Sequence, residues 1–183
     1  LFLNYHTKLK YETLDKRYFA TKGLKTNIFY TIYTNLHTNT AYSSLAAQVT
    51  KIFPITLNTF IIPTIYGRFI FNDGIPFMYS NVIGGEGYNP HYEQQIPFSG
   101  LTHTESTLKL LGNAQIQVRH KFHEKQYLTL SGNYAIHQNQ FSNFLQGKKI
   151  YGTSIGYGYD SPLGPIEGFI CYSNRTNKLG FYL

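Results

Sequence analysis

Residues 115–123 read Gln-Ile-Gln-Val-Arg-His-Lys-Phe-His, running from Gln115 to His123. Polar side chains occupy every odd position of this stretch, and apolar ones occupy the even positions apart from His120. Side chains on a β-strand point alternately to its two faces, so the stretch predicts a strand with one apolar and one charged face. The same alternation recurs through most of the chain, in runs long enough to cross a bilayer. It therefore predicts an all-β fold, an antiparallel transmembrane β-barrel whose polar face lines water.

About eight such strands can be placed along the 183 residues, with turn-forming residues between them. One interval differs, because residues 72–107 contain Asp73-Gly74, Gly84-Gly85, Asn89-Pro90 and further Gly and Pro residues. This density of turn formers predicts a long Gly/Pro-rich loop, and loops of such length are usually functional. A long loop on one side of a barrel, opposite short turns, is also typical of outer-membrane barrels.

The bulk composition is compatible with a barrel that forms one domain. The chain contains 17 Tyr and 14 Phe, and aromatic rings form girdles at the two membrane interfaces of such barrels. No apolar run approaches the roughly 18 residues of a transmembrane helix. The sequence begins within a strand-like run at Leu1, without an initiator Met, and stops within another at Leu183. We therefore expect residues 1–183 to be part of a longer mature protein.

The charged face of the predicted barrel has candidate lumen-lining residues. Arg119, Lys121 and His123 share one face of a strand. Charge on the lipid face would cost about 2–4 kcal/mol near the membrane midplane, so we expect this face to point inward. Glu167 is a candidate partner for the two cations across the lumen. Gly156 and Gly158 alternate with Tyr on another strand, and a face without side chains leaves room for a second segment.

Several classes of function are not expected. The formal net charge is +7, but the 16 Lys and Arg are dispersed, so no nucleic-acid partner is predicted. The seven His do not suggest a metal site, since His120 and His123 lie on opposite strand faces. A patatin-type lipase needs a Ser nucleophile on a strand-to-helix elbow, which we do not expect here. We predict no catalytic residue, no metal and no cofactor, and a packing role for Cys171.

Three stretches resemble one family of membrane proteins. Residues Asp15 to Gly23 resemble the Asp-x-x-x-Phe-Pro-x-x-Gly turn of BamA-type outer-membrane barrels, with Ala20 in place of Pro. The stretch from Ser161 to Pro165, Ser-Pro-Leu-Gly-Pro, resembles the turn before the last strands of that family. Residues 84–100 are similar to the family's long loop, and their Gln-Gln-Ile-Pro-Phe run looks closest to patatin-like phospholipases with a C-terminal barrel.

The resemblance implies a barrel of roughly sixteen strands, of which this chain is the C-terminal half. It implies that the long loop folds back into the lumen, where the family's Arg is replaced here by His91 followed by Tyr92. The implied loop residues are Gly84, Gly85, His91, Tyr92, Gln94, Gln95, Pro97 and Phe98. The implied terminal turn comprises Ser161, Pro162, Gly164 and Pro165.

The function that this resemblance implies is that of a membrane anchor or translocation pore in the bacterial outer membrane, in a BamA-type or patatin-linked protein. The implied partners are outer-membrane lipid and the remaining half of the barrel or other membrane subunits. Two alternatives stay open: a small self-contained eight-stranded outer-membrane barrel, and a soluble lipocalin-like ligand-binding barrel. Periodicity alone does not separate them, because the same alternation fits a barrel with its apolar face inside.

Overall fold

The computed structural model describes residues 2–72, 75–85, 94–101 and 103–182. Most of this part of the chain is β-structure, so the predicted fold class is confirmed. Its twelve strands are β1 (Phe2–Glu12), β2 (Gly23–Asn35), β3 (Thr40–Pro54), β4 (Thr59–Ile70), β5 (Asn81–Ile83), β6 (Gln95–Ile96), β7 (Glu105–Thr107), β8 (Leu110–His123), β9 (Gln126–Gln138), β10 (Lys148–Ser161), β11 (Gly164–Ser173) and β12 (Leu179–Tyr182).

One large antiparallel sheet contains nine of these strands, in the order β1-β2-β3-β4-β8-β9-β10-β11-β12. Each strand pairs with its sequence neighbour except where β4 pairs with β8, so β5 to β7 form a separate excursion. The tail beyond β11 forms its own strand β12, which pairs with β11 through residues 169–172. Strands β1 and β12 are the edges of the sheet.

The two faces of the sheet differ in the way that the alternation predicts. On β8, the apolar side chains of Ile116, Val118 and Phe122 are exposed, whereas Asn113 and Arg119 on the other face are buried. The polar exception, His120, lies on the outer face, where its Nδ1 is 2.9 Å from Thr59 Oγ1. A lipocalin-like barrel needs its apolar face inside, so that alternative does not fit this arrangement.

The sheet curls around a lumen. A cavity of about 410 Å³ is lined by Lys8 on β1, by Arg119 on β8 and by Glu167 on β11. Residues near opposite edges of the sheet therefore face the same space. Since right-handed twist and coiling make large sheets curl, this geometry follows from long strands paired in sequence order.

The connections between the strands fall at two ends of the sheet. One end, here called the turn end, has the connections 13–22, 55–58, 124–125 and 162–163. The other end, the loop end, has the connections 36–39, 71–109, 139–147 and 174–178. Residues 71–109 are called the long loop below. Within the described residues, no helix is both long enough and apolar enough to cross a membrane.

The described part of the long loop is folded and contributes four of the nine buried residues of the main core. It contains a 3-10 helix, Phe77–Tyr79, and a small sheet in which β5 pairs parallel with β6 and antiparallel with β7. Four of its apolar side chains are almost fully buried and pack on the inner wall of the large sheet. Burial of each such side chain is worth about 1.5–3 kcal/mol. The loop members of this core are Ile83, Ile96, Phe98 and Leu101, and the wall members are Ala46, Tyr66, Leu111, Ala135 and Ile150.

Candidate functional site

The long loop is held against the wall by the buried guanidinium of Arg68, which is 4% exposed on β4. Arg68 donates hydrogen bonds to Asn81 Oδ1 at 2.6 Å, to Ser44 Oγ at 3.3 Å and to the Tyr79 carbonyl at 3.4 Å. Asn81 in turn donates through Nδ2 to the backbone carbonyls of residues 108 and 109, each at 2.8 Å. A buried charge is tolerated when such bonds satisfy it. Both ends of the loop are therefore fastened to β3 and β4.

Arg68 and Asn81 were not among the residues predicted from the sequence. A signal for Arg68 existed, because it is the one charged residue among the apolar and glycine residues of the Tyr66–Ile70 stretch. A cation within a membrane-crossing strand must face the lumen or a partner. Asn81 carries no comparable signal, since Asn is common in any loop.

The predicted loop glycines lie where the loop turns. Gly84 and Gly85 have φ angles of +116° and +73°, and a Cβ at Gly84 would collide with the His103 carbonyl. Gln95 Nε2 donates to the Gly84 carbonyl at 2.8 Å. The Gly84 N–H donates to the Ile96 carbonyl at 2.9 Å, and the Phe98 N–H donates to the Gly85 carbonyl at 3.0 Å, so this bend lies directly beside β6 and Phe98.

The other predicted loop residues are placed as follows. Gln94 Nε2 donates to the Met78 carbonyl at 2.8 Å, and Pro97 lines the lumenal cavity. Phe98 is fully buried. His91 and Tyr92 lie outside the described residues. The expectation that His91 stands in for the family's lumenal Arg therefore stays a prediction.

Residues 98–99 of the long loop, here called the loop tip, rest on β10. Ser154 Oγ donates to Ser99 Oγ at 3.1 Å, and a Cβ at Gly152 would overlap the Ser99 carbonyl oxygen. Space for the loop was expected at Gly156 and Gly158, but other rings occupy the space over them: Phe169 covers the first and Phe19 the second. The physical reason is that Phe169 is the cross-strand partner of Gly156 and that the connection 13–22 inserts Phe19 over Gly158.

The stretch Gly152-Thr153-Ser154-Ile155-Gly156 has the spacing Gly-x-Ser-x-Gly of a nucleophile elbow. All five residues lie within strand β10, not on a strand-to-helix turn. Ser154 uses its hydroxyl proton for the bond to Ser99. The spacing therefore does not produce the exposed nucleophile on a strained turn that this motif forms in α/β-hydrolases. The expectation that the chain has no catalytic residue stays a prediction.

Asp15 organises the connection 13–22 at the turn end. Its carboxylate accepts hydrogen bonds from the Thr21 N–H at 2.8 Å, the Thr21 hydroxyl at 2.5 Å and the Lys22 N–H at 3.2 Å. Partial burial acts to raise the pKa of Asp15, but these hydrogen bonds outweigh it, so the pKa lies below its ordinary value. The residue type that the family resemblance singled out thus closes the turn.

The same turn inserts Phe19 into the lumen. Phe19 is 1% exposed and has a φ of +45°, a conformation that is costly for a bulky residue. Its ring stacks on Tyr127 of β9 with centroids 4.2 Å apart, and the Arg119 guanidinium lies 5.4 Å from its centroid. Gly158 makes room for it, because a Cβ there would lie 2.9 Å from Phe19 Cε1. The turn thereby connects β1 and β2 with β8 to β10 across the lumen.

The predicted lumen-lining residues of β8 differ in position. Arg119 is buried and lines the cavity together with Glu167, although an ion pair between them stays a prediction. Lys121 is half-buried, and His123 is exposed beyond a bulge that interrupts the pairing of β8 with β9. A bulge rotates the residues that follow it, which alternation alone does not reveal.

The terminal turn links β10 to β11. Ser161 Oγ donates to the Gly164 carbonyl at 2.5 Å and accepts from the Leu163 N–H at 3.3 Å. Gly164 has a φ of +130°, and Pro162 is exposed at the turn. Pro165 pairs with Asp160 at the start of β11. Within the described ranges, no three His, Cys, Asp or Glu residues are grouped to hold a metal ion.

Comparison with known proteins gives one finding. A family model described as the OMP85 superfamily matches residues 1–183. A comparison with curated proteins finds no match. The family match confirms the resemblance to BamA-type barrels, and it covers all three of the motifs from which that resemblance was drawn.

Proposed function

Because the chain belongs to the OMP85 superfamily, we propose that it is the membrane anchor and translocation pore of an outer-membrane protein. Membership of this family supports a location in the bacterial outer membrane, as a β-barrel protein with membrane partners. The apolar outer face of the sheet suits contact with lipid: Ile116, Leu130 and Ile155 on three successive strands are all exposed. Transfer of such apolar side chains from water into hydrocarbon is favourable.

The open edges of the sheet support a larger barrel. Backbone N–H and C=O groups at an unpaired edge cost several kcal/mol each in hydrocarbon. Strand β1 is eleven residues long and pairs on one side with β2, and β12 pairs on one side with β11. In our proposal the remaining half of a roughly sixteen-stranded barrel, or another membrane subunit, pairs with these edges. A self-contained eight-stranded barrel would close by pairing its first strand with its last, whereas the large sheet has nine strands and β1 is not paired with β12.

The observation that supports the pore proposal is the position of the long loop against the inner wall. The inner wall has Gly152 and Ser154 where the loop tip lies, and the loop's own apolar residues pack on apolar residues of the same wall. In our proposal the docked loop closes the lumen at rest. Cargo or ions pass only when the loop leaves its place on Arg68 and Ser154.

A disulfide between loop and wall tests this proposal. The hydroxyl oxygens of Ser99 and Ser154 are 3.1 Å apart, so the pair Ser99→Cys and Ser154→Cys, with Cys171→Ser to remove the native thiol, should form a cross-link. We expect the oxidised protein to lose translocation or conductance in planar bilayers and to regain it with reductant. The matched control is Ser99→Cys alone in the same background. Full activity of the cross-linked protein would show that the loop need not move.

The resemblance to patatin-linked barrels suggests one class of passenger. In this proposal a lipase domain, where present, would be joined on the amino-terminal side of residue 1, and the present chain would supply its anchor without a catalytic group. Intact mass measurement of the protein extracted in detergent from outer membranes tests this part. Hydrolysis of a phospholipid by the isolated barrel would refute it.

A further inference from the structure

Arg119 lies on the inner face of β8 and is 7% exposed. The ring of Phe19 covers one side of its guanidinium. Among the described residues, its Nε atom has no hydrogen-bond partner. A buried guanidinium is costly unless its N–H groups are hydrogen-bonded. Arg119 therefore has a buried N–H donor for which the described part of the chain supplies no acceptor.

Further hydrogen-bond donors lie beside it. Thr129 is the direct cross-strand partner of Arg119, and Ser131 is the partner of Gln117 one step further along. Both hydroxyl residues are buried and line the same cavity as Arg119. Directly opposed residues of an antiparallel pair have Cβ atoms about 5 Å apart. The guanidinium and the hydroxyl groups consequently open onto one part of the lumen, and this combination of donors suits an oxyanion.

The charge of the cavity favours the same class of ligand. Its described lining includes three cationic side chains, Lys8, Lys25 and Arg119, against the single carboxylate of Glu167. Three positive charges and one negative charge leave a formal excess of +2. The volume of about 410 Å³ holds a small ion together with several waters.

We propose that the lumenal cavity binds a small oxyanion from solution, that Arg119 and Thr129 hold it, and that the Phe19 ring covers the site from the turn end. The site opens into the lumen and away from the lipid face, so a free ion is the occupant and a lipid headgroup is not. Gly158 belongs to the same arrangement, because its missing side chain lets Phe19 reach Arg119.

Equilibrium dialysis with radiolabelled inorganic phosphate tests the proposal, with the full native protein in lipid-free detergent at constant ionic strength. We expect saturable binding that Arg119→Gln weakens by about tenfold or more, since a charge-assisted hydrogen bond is lost. The matched control is Arg175→Gln, which removes the same charge from an exposed residue at the loop end; we expect it to bind phosphate like the native protein. Should Arg119→Gln fail to assemble, Thr129→Val removes one hydroxyl with little change in shape, and we expect weaker binding.

Three results would overturn the proposal. The first is the absence of saturable phosphate binding by the native protein. The second is an equal loss of affinity in the Arg119 and Arg175 variants, which would indicate non-specific attraction to a basic protein. The third is displacement of phosphate by phosphatidylglycerol added to the micelles, which would assign the site to a lipid headgroup.

Discussion

Substitution Phe98→Ala should release the long loop from the lumen. Phe98 is 0% exposed and packs in the core that the loop shares with the inner wall. Replacing a buried Phe by Ala costs about 3–5 kcal/mol. This cost falls on docking of the loop, because the strand ladder and the lipid-facing side chains are unchanged. Because about 1.4 kcal/mol corresponds to a tenfold change in an equilibrium constant, a loss of only about 3 kcal/mol in docking free energy raises the population with a released loop by more than roughly 100-fold.

Limited proteolysis of the folded protein in detergent measures that population. When opening and closing of the loop are fast compared with cleavage, the cleavage rate is proportional to the released fraction. We expect Phe98→Ala to be cut within the loop about 100 times faster than the native protein. The matched control is Phe77→Ala in the same loop, where the side chain is 78% exposed. Equal cleavage rates for the native protein and the Phe98 variant would refute the argument that apolar burial holds the loop against the inner wall.

The remaining predictions concern other contacts of the loop and the turn. Gly152→Ala places a methyl group against the loop tip and should weaken docking of the loop by about 1–3 kcal/mol, which the same proteolysis measures. Gly132→Ala should have no effect on docking, because the nearest atom to the added methyl group is 3.9 Å away. Arg68→Lys loses the forked donor set and should speed loop cleavage, while Arg175→Lys at an exposed ion pair should not. Asp15 has a pKa below its ordinary value of 3.8, so its stabilisation of the turn is present above pH 3.8 and is lost as the pH falls from there through the folded pKa. The protection factors of the turn amides, which correct the exchange rates for the intrinsic pH dependence, should therefore fall in that acid range in the native protein, and Asp15→Asn should abolish this fall.

The strands were the predictable part of this structure. A strand buried on one side and facing lipid on the other requires period-two alternation, and a charge on the lipid side is costly. For that reason the alternation from Gln115 to Arg119 predicts both the strand and its faces. His123 shows the limit of this argument, because a bulge changes the direction of residues without leaving a clear mark in the sequence.

The interior of the long loop could not be predicted from the sequence. Its buried residues occur in short apolar pieces, and their partners on the wall are separated from them by tens of residues. The insertion of Phe19 presents the same difficulty. The motif identifies the turn, but its contact with Tyr127 depends on how the sheet curls. Contacts between distant segments depend on tertiary packing, which local patterns do not encode.

The most direct test of the central claim compares two neighbouring residues of β8. In the native protein with Cys171→Ser, nitroxide spin labels are placed at Ile116→Cys and at Gln117→Cys, and the protein is reconstituted in lipid vesicles. The account predicts that oxygen, which concentrates in lipid, relaxes the label at 116 more strongly than a water-soluble nickel chelate does, and that the order reverses at 117. Equal accessibility at the two positions, or the opposite order, would contradict an apolar face in lipid and a polar face in the lumen.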